Sequence, residues 1–144
     1  GADARERRIA LEKTTALNDA YKVLKDPAKR AFYLLKLFGI DLDREDAGAQ
    51  HGMPLDFLEE VMALRENLSE TRARKDLTTA QSMASDVEKR SAASLAEAVQ
   101  HLGRLETNPR DEQALKAASH QLARVRYFTR FLEEVEAFEE ESTQ

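Results

Sequence analysis

Residues 76–105 read DLTTAQSMASDVEKRSAASLAEAVQHLGRL, and within them small or apolar side chains return with a seven-residue rhythm. The positions that keep this rhythm are Leu77, Ala80, Ala84, Val87, Ser91, Ser94, Ala98 and Leu105. Because side chains three and four residues apart share a helix face, the spacing predicts one long helix with a single inner stripe. Many of these side chains are Ala or Ser, which lets neighbouring helices approach closely.

Two more long helices are predicted on either side of this stretch. One covers about residues 54–74 and opens on a proline, which suits the first turn of a helix. For the other, Asn108 is the expected N-cap because Pro109 and acidic side chains follow it. This helix is expected to run to about Glu139, and the residues after it are expected to fray. Three long helices with short connections predict an antiparallel three-helix bundle over residues 54–144.

Two shorter helices are predicted ahead of the bundle, over about residues 4–25 and 27–38. Pro27 separates them, because proline cannot continue a helix but fits the first turn of the next one. The expected inner face of the second helix consists of Ala31, Leu34, Leu35 and Phe38. Gly39 is its expected C-terminal cap. The whole chain is therefore predicted to be all-α.

Composition and charge support this architecture and suggest a division into modules. The 144 residues are 42% hydrophobic and 34% charged, with only 3 Pro and 5 Gly, so few turns are available. The net charge is −5. Nine basic and five acidic residues give residues 1–40 a charge of +4, whereas 13 basic and 22 acidic residues give the remainder −9. Residues 41–53, with little periodicity, are predicted to be a linker between two modules.

Several classes of protein are excluded or disfavoured. The chain has no Cys, so no disulfide and no thiolate-bound zinc or cluster can form within it. No run approaches the roughly 20 apolar residues of a membrane span, and no signal peptide is visible, so no membrane partner is expected. The acidic body argues against a nucleic-acid partner. Since the first residues lack an initiator Met and read as helix, we expect the natural N-terminus to be missing.

The sequence offers no constellation for catalysis or for a cofactor. The three histidines are His51, His101 and His120, and none lies in a zinc-protease helix motif. Glu97 precedes His101 by four positions, whereas a di-iron Glu-x-x-His site needs three. There is no glycine-rich phosphate loop and no serine on a nucleophile elbow. The chain is therefore predicted not to be an enzyme and to carry no cofactor or metal.

The helix predicted over residues 54–74 has two apolar stripes. Its core stripe consists of Phe57, Val61, Leu64 and Leu68. At about 100° per residue, Leu58 and Met62 lie about 120° from that stripe. Glu66 and Glu70 lie further round the same outer side.

The last helix repeats this pattern. Its core stripe consists of Leu115, Leu122, Val125, Phe128 and Leu132. Tyr127 lies more than about 90° from it, with Phe131 beside it. Two interpretations stay open for a second stripe. It is covered by another helix of the bundle, or it is an exposed patch, which on soluble proteins usually marks a partner site.

Two blocks of the sequence resemble a known family. Residues 17–27 read LNDAYKVLKDP, and the chain continues with Arg30, Ala31, Tyr33, Leu34 and Leu35 to Gly39-Ile40-Asp41-Leu42. This block resembles the last part of a J-domain of the HscB type. Residues 57–66, FLEEVMALRE, resemble the start of that family's C-terminal scaffold-binding domain. The resemblance implies the end of a J-domain helical hairpin over residues 1–40, joined to the three-helix bundle.

The resemblance also implies a function and its residues. HscB proteins stimulate the ATPase of a dedicated heat-shock chaperone through the J-domain, and their C-terminal bundle binds the scaffold protein on which iron–sulfur clusters are built. The family's scaffold contacts fall here on Leu58, Met62, Glu66, Glu70 and Tyr127. Glu59 stands where the family often has Met, and Ala63 stands at an acidic position. The J-domain His-Pro-Asp is absent, so ATPase stimulation is expected only of a full-length protein.

Two alternatives to this function remain. A general J-protein could carry a helical interaction module for another client. A purely structural helical spacer would use the second stripe to associate with itself.

Overall fold

The computed structural model describes residues 3–9, 11, 25–44 and 53–143. Four helices with defined bounds are α1 (Pro27–Leu37), α2 (Leu55–Ala73), α3 (Leu77–Thr107) and α4 (Glu112–Ser142). Residues 3–9 are also helical, and the described residues contain no β-strand. The all-α prediction is therefore confirmed. Most of the helix predicted over residues 4–25, and the linker residues 45–52 with His51, lie outside the described residues.

Helix α1 begins and ends as its sequence predicts. The Asp26 carboxylate accepts hydrogen bonds from the backbone N–H groups of Ala28 (2.9 Å) and Lys29 (3.2 Å), and Pro27 follows in the first turn. At the other end Gly39 has a φ of 97°, a left-handed conformation that glycine adopts without strain. The N–H of Ile40 then donates to the Leu35 carbonyl at 3.2 Å, which closes a Schellman-type cap.

Helices α3 and α4 form a long hairpin whose turn differs from the prediction. Asn108 is the C-cap of α3 and donates its N–H to the Arg104 carbonyl at 2.8 Å. The N-cap of α4 is Asp111, whose carboxylate accepts from the Ala114 N–H at 3.0 Å. The prediction that Asn108 is the N-cap was wrong, because that residue still closes the preceding helix.

The start of α3 and the end of α4, at the far end of this hairpin, are also held by defined contacts. Asp76 caps α3 and accepts from both the side chain (2.6 Å) and the N–H (3.1 Å) of Thr79, and these hydrogen bonds lower the pKa of its carboxyl. Helix α4 continues to Ser142, past the end predicted at about Glu139. Phe138 is buried there, and Glu141 forms an ion pair with Arg72 of α2.

An Asp111→Ala variant tests the revised start of α4. Loss of the cap leaves helix N–H groups without an acceptor, so we expect the free energy of unfolding to fall by about 1 kcal/mol. Urea denaturation followed by circular dichroism measures this loss. An Asn108→Ala variant is the matched control and should cost less, since the Asn108 side chain accepts only a 3.3 Å hydrogen bond from Arg110 within the turn. A larger loss at Asn108 would restore the original assignment.

The buried side chains form two clusters at opposite ends of the hairpin. The α1 cluster is Ala31, Leu35, Ile40, Leu42, Ala98, Leu102, Leu105, Ala114, Ala118, Leu122, Ala123 and Val125. The α2 cluster is Phe57, Val61, Leu68, Ala80, Val87, Phe128, Phe131, Val135 and Phe138. Met53, just before α2, packs against both. Helices α1 and α2 are thus held by different halves of the same α3–α4 hairpin.

The predicted inner stripe of α3 is confirmed. Five of its eight positions, Ala80, Val87, Ser94, Ala98 and Leu105, are buried, and the other three, Leu77, Ala84 and Ser91, are half-buried. The stripe supplies the α3 side of both clusters. A helix of this kind derives most of its stability from packing of that face.

Polar contacts hold the segment after α1 against α4. Arg126 donates from Nη1 to the Leu42 carbonyl (2.5 Å) and to Oδ1 of Asp43 (2.7 Å). Lys36 also lies 3.8 Å from the Asp41 carboxylate. The hydrogen bonds of Arg126 hold residues 42–43, which follow α1, beside the α4 turn that carries Tyr127. Within the described residues, no helix has a long enough apolar stretch to cross a membrane.

Candidate protein-docking surface

Helix α2 is anchored to the hairpin by the ring of Phe57, which is only 3% exposed. Its ring meets those of Tyr127 and Phe128 edge-on, with centroids 5.7 and 5.8 Å apart. The Arg124 guanidinium lies 4.5 Å from the Phe57 centroid, a cation–π contact. These contacts fix the rotation of α2 and therefore which of its faces points outward.

The core stripe predicted for α2 is confirmed, with Phe57, Val61 and Leu68 buried and Leu64 half-buried. On the outer side, Met62 is 70% exposed. Leu58 is half-buried, while Glu66 and Glu70 are exposed. The helix therefore carries apolar side chains on two sides, and only one of them is covered within the described chain.

The second stripe of α4 has a different environment. Phe131 is buried in the α2 cluster, and Tyr127 is half-buried with its ring against Phe57. The interpretation that another helix covers this stripe is confirmed here, because α2 packs on it. Tyr127 keeps part of its surface in solvent at the edge of that contact.

The four predicted site residues on α2 do not all lie on one flank of that helix. Arg72 forms its ion pair with α4, and at about 100° per residue Leu58 lies about 40° from Arg72, on the flank toward α4 and Tyr127. Glu70 instead lines the groove between α2 and α3. Met62 and Glu66 lie between these flanks. Leu58 and Met62 lie one turn apart on α2, and Glu70 lies about 120° from Leu58. Tyr127 contacts the same helix through Phe57.

The groove between α2 and α3 has a volume of about 730 Å³. Leu64, Met83 and Val87 provide apolar lining, and Arg74 and Lys89 lie among its charged residues. Glu60 spans the two helices through an ion pair with Arg90.

Arg90 of α3 is partly buried between Glu60 of α2 and Phe128 of α4. Its guanidinium is 4.9 Å from the Phe128 centroid, and that of Arg124 is 5.7 Å from the same centroid. Burial lowers the pKa of Arg90, and the positive charge of Arg124 lowers it further. Arg124 also donates to the Ser94 hydroxyl at 3.3 Å. These arginines support the aromatic contact that holds α2, and nothing in the predicted site anticipated them.

The described residues around α2 offer apolar and charged side chains for contact with a partner. No group of three or more His, Asp or Glu side chains there could hold a metal ion. His101 is half-buried, and its Nδ1 is buried without a hydrogen-bond partner. Around α2 the described side chains that reach solvent include apolar groups, acidic groups and the exposed Arg65, a mixture that suits contact with another protein.

One exposed residue on this surface was missed by the sequence analysis. Leu55, the first residue of α2, is 71% exposed. It precedes Leu58 by three positions and Met62 by seven. That spacing alone could have placed it on the outer stripe, but its position at the predicted helix boundary gave no reason to choose it.

Comparison with known proteins gives a consistent set of relatives. A family model described as the HSCB C-terminal oligomerisation domain matches residues 53–136. Three curated relatives are each described as a co-chaperone protein HscB homolog. The Ralstonia nicotianae protein is 44% identical over 72 residues, covering 50% of this chain and 39% of the relative. The Neisseria meningitidis serogroup A protein is 40% identical over 86 residues, with shares of 60% and 50%. The Vibrio vulnificus protein is 34% identical over 139 residues, with shares of 96% and 75%.

Proposed function

The chain belongs to the HscB family of co-chaperones, and from that membership we propose that it binds the iron–sulfur cluster scaffold protein and delivers it to a dedicated heat-shock chaperone ATPase. The matched alignments span between 39% and 75% of the length of the three relatives, so the activity of a whole family member is part of this proposal.

The observation that carries the proposal is the exposed outer side of α2. Met62 is 70% exposed although it lies on a helix whose opposite side is packed in the α2 cluster. Leu58, one turn from Met62, and Tyr127 of α4 are both half-buried, so each keeps surface that a partner can cover. Methionine and aromatic side chains suit such contacts because they adapt in shape or bury large areas. Exposed Glu66 and Glu70 supply polar contacts at the rim.

Each part of the chain has a role in this proposal. Residues 54–144 form the module that binds the scaffold protein, residues 1–40 are the end of a J-domain, and residues 41–53 connect them. The chain acts in the cytoplasm as an adaptor, without catalysis, cofactor, nucleic acid or membrane. Stimulation of the chaperone ATPase is expected only where the J-domain is complete.

A second candidate function is self-association through the same outer side of α2. The description of the matching family model as an oligomerisation domain favours it. The high exposure of Met62 and Leu55 is compatible with it as well, because apolar faces of this kind also pair with themselves.

Calorimetric titration with the scaffold protein of the same source tests the proposed function. We expect saturable binding, together with a sedimentation coefficient of the free chain that does not change with concentration. Circular dichroism of both proteins beforehand ensures that each is folded. Absence of binding between two folded proteins would reject the scaffold as the client. A concentration-dependent dimer that Met62→Glu dissociates would favour self-association instead.

A further inference from the structure

Leu55 is as exposed as Met62, at 71% against 70%, and both lie on the outer side of α2. With Leu58 between them they follow an i, i+3, i+7 spacing, which places all three on one stripe of the helix. The stripe runs about 10 Å along the axis from Leu55 to Met62. The core residues of α2 lie about 120° away, so within the described chain both ends of this stripe are exposed and only Leu58 is half-buried.

Leu55 is held in a defined position. It directly follows Pro54, whose carbonyl accepts from the Leu58 N–H at 3.2 Å, and this bond closes the first turn of the helix. Phe57, two residues on, anchors the same turn in the α2 cluster. A side chain on an ordered turn loses little further backbone freedom when a partner covers it.

The outer stripe has an acidic border on the flank toward α3. Glu59, Glu66 and Glu70 are all exposed, and none of them has an ion-pair partner among the described residues. Glu59 lies one turn from Leu55 and less than one turn from Met62. Arg65, which is also exposed, lies on the other flank. A partner that covers the stripe therefore meets unpaired negative charge along one flank, and a complementary surface is apolar with basic side chains along that edge.

We infer that Leu55 is a further anchor of the docking surface, and that the scaffold protein covers it with an apolar patch bordered on one side by Lys or Arg. This inference rests on the proposed function and extends that surface to the N-terminal end of α2. It also identifies the kind of surface that the partner presents. An i, i+3, i+7 stripe on one helix fits a shallow apolar groove or the face of another helix.

Replacement of Leu55 by Ala tests the inference by calorimetry. We expect the Kd for the scaffold protein to rise about tenfold, since truncation removes most of a leucine side chain from the interface. The melting temperature should not change, because the side chain is in solvent in the free chain. Leu55→Met should restore most of the affinity. The matched control is Leu37→Ala on α1, where the leucine is 65% exposed and lies outside the docking surface, and it should leave the Kd unchanged.

The outcomes separate this inference from the proposed function. If wild type binds the scaffold and Leu55→Ala binds equally well, the inference is wrong and the proposed function stands. If wild type does not bind a folded scaffold, both are wrong. If Leu55→Ala dissociates a dimer of this chain without changing scaffold binding, the stripe belongs to a second copy and the inference is overturned. A loss of affinity in Leu37→Ala as large as that in Leu55→Ala would also contradict the inference.

Discussion

A Met62→Glu variant should bind the scaffold protein at least about a hundredfold more weakly than wild type, with no change in its unfolding midpoint. Met62 is 70% exposed in the free chain, so a glutamate there stays hydrated and disturbs no packing. In the complex the same carboxylate would be buried against apolar side chains beside the existing acidic border. Desolvation of an unpaired charge costs several kcal/mol, and about 2.7 kcal/mol already corresponds to a hundredfold change in Kd.

Calorimetric titration gives the Kd, and urea denaturation of the free variant gives its stability. The control is Leu37→Glu, which places the same charge at a 65% exposed apolar site on α1. It should bind and unfold as wild type does. Equal weakening by both variants would attribute the effect to net charge, and early unfolding of Met62→Glu would place Met62 in the core.

Periodicity predicted the helices well because it reports which side chains share a face. The helix predicted over residues 54–74 is Leu55–Ala73, and the stripe of α3 lines both buried clusters. The start of α4 could not be settled in the same way. Asn108 and Asp111 are both good N-cap residues, and they are distinguished by the hydrogen bonds from Ala114 to Asp111 and from Asn108 to Arg104.

The candidate site was harder to predict because helical angles describe one helix at a time. They identified Met62 as an outward residue of α2. They could not show that α2 covers Phe131 of α4, or that Glu70 faces the groove toward α3, since both depend on how the helices pack. The cation–π contact of Arg90 with Phe128 joins residues far apart in the chain, so no local sequence pattern predicts it. Arg124 lies one turn from Phe128, but its contact with the ring was not predicted either.

A Phe57→Ala variant should lose about 3–5 kcal/mol of stability, the usual cost of truncating a buried phenylalanine. Phe57 is the residue through which α2 meets both Tyr127 and Phe128, and Arg124 stacks on its ring. The remaining buried residues of α2 are Val61, Leu68 and Thr71, which contribute smaller side chains. Phe57→Leu keeps much of the volume and should cost less, which separates lost volume from lost ring contacts.

The destabilisation should be concentrated in α2, because α1 belongs to the other cluster. Hydrogen exchange measured by mass spectrometry should show faster exchange over Leu55–Ala73 in Phe57→Ala, while Pro27–Leu37 keeps its protection. The reciprocal control is Leu35→Ala, since Leu35 is fully buried in the α1 cluster. Leu35→Ala should speed hydrogen exchange in α1 and leave the exchange of α2 unchanged. Parallel loss of protection in both helices would show that the two clusters unfold as one unit.

Local opening of α2 in Phe57→Ala should also weaken scaffold binding. If α2 must be docked on the hairpin to present Leu58, Met62 and Tyr127 together, the apparent Kd rises in proportion to the loss of the docked population. Phe57→Ala should therefore weaken binding more steeply as urea is added below its unfolding transition, because urea further depletes the docked state. Met62→Glu should keep the urea dependence of wild type, since its defect lies in the contact itself. The same urea dependence in both variants would mean that the docking of α2 does not control presentation of the surface.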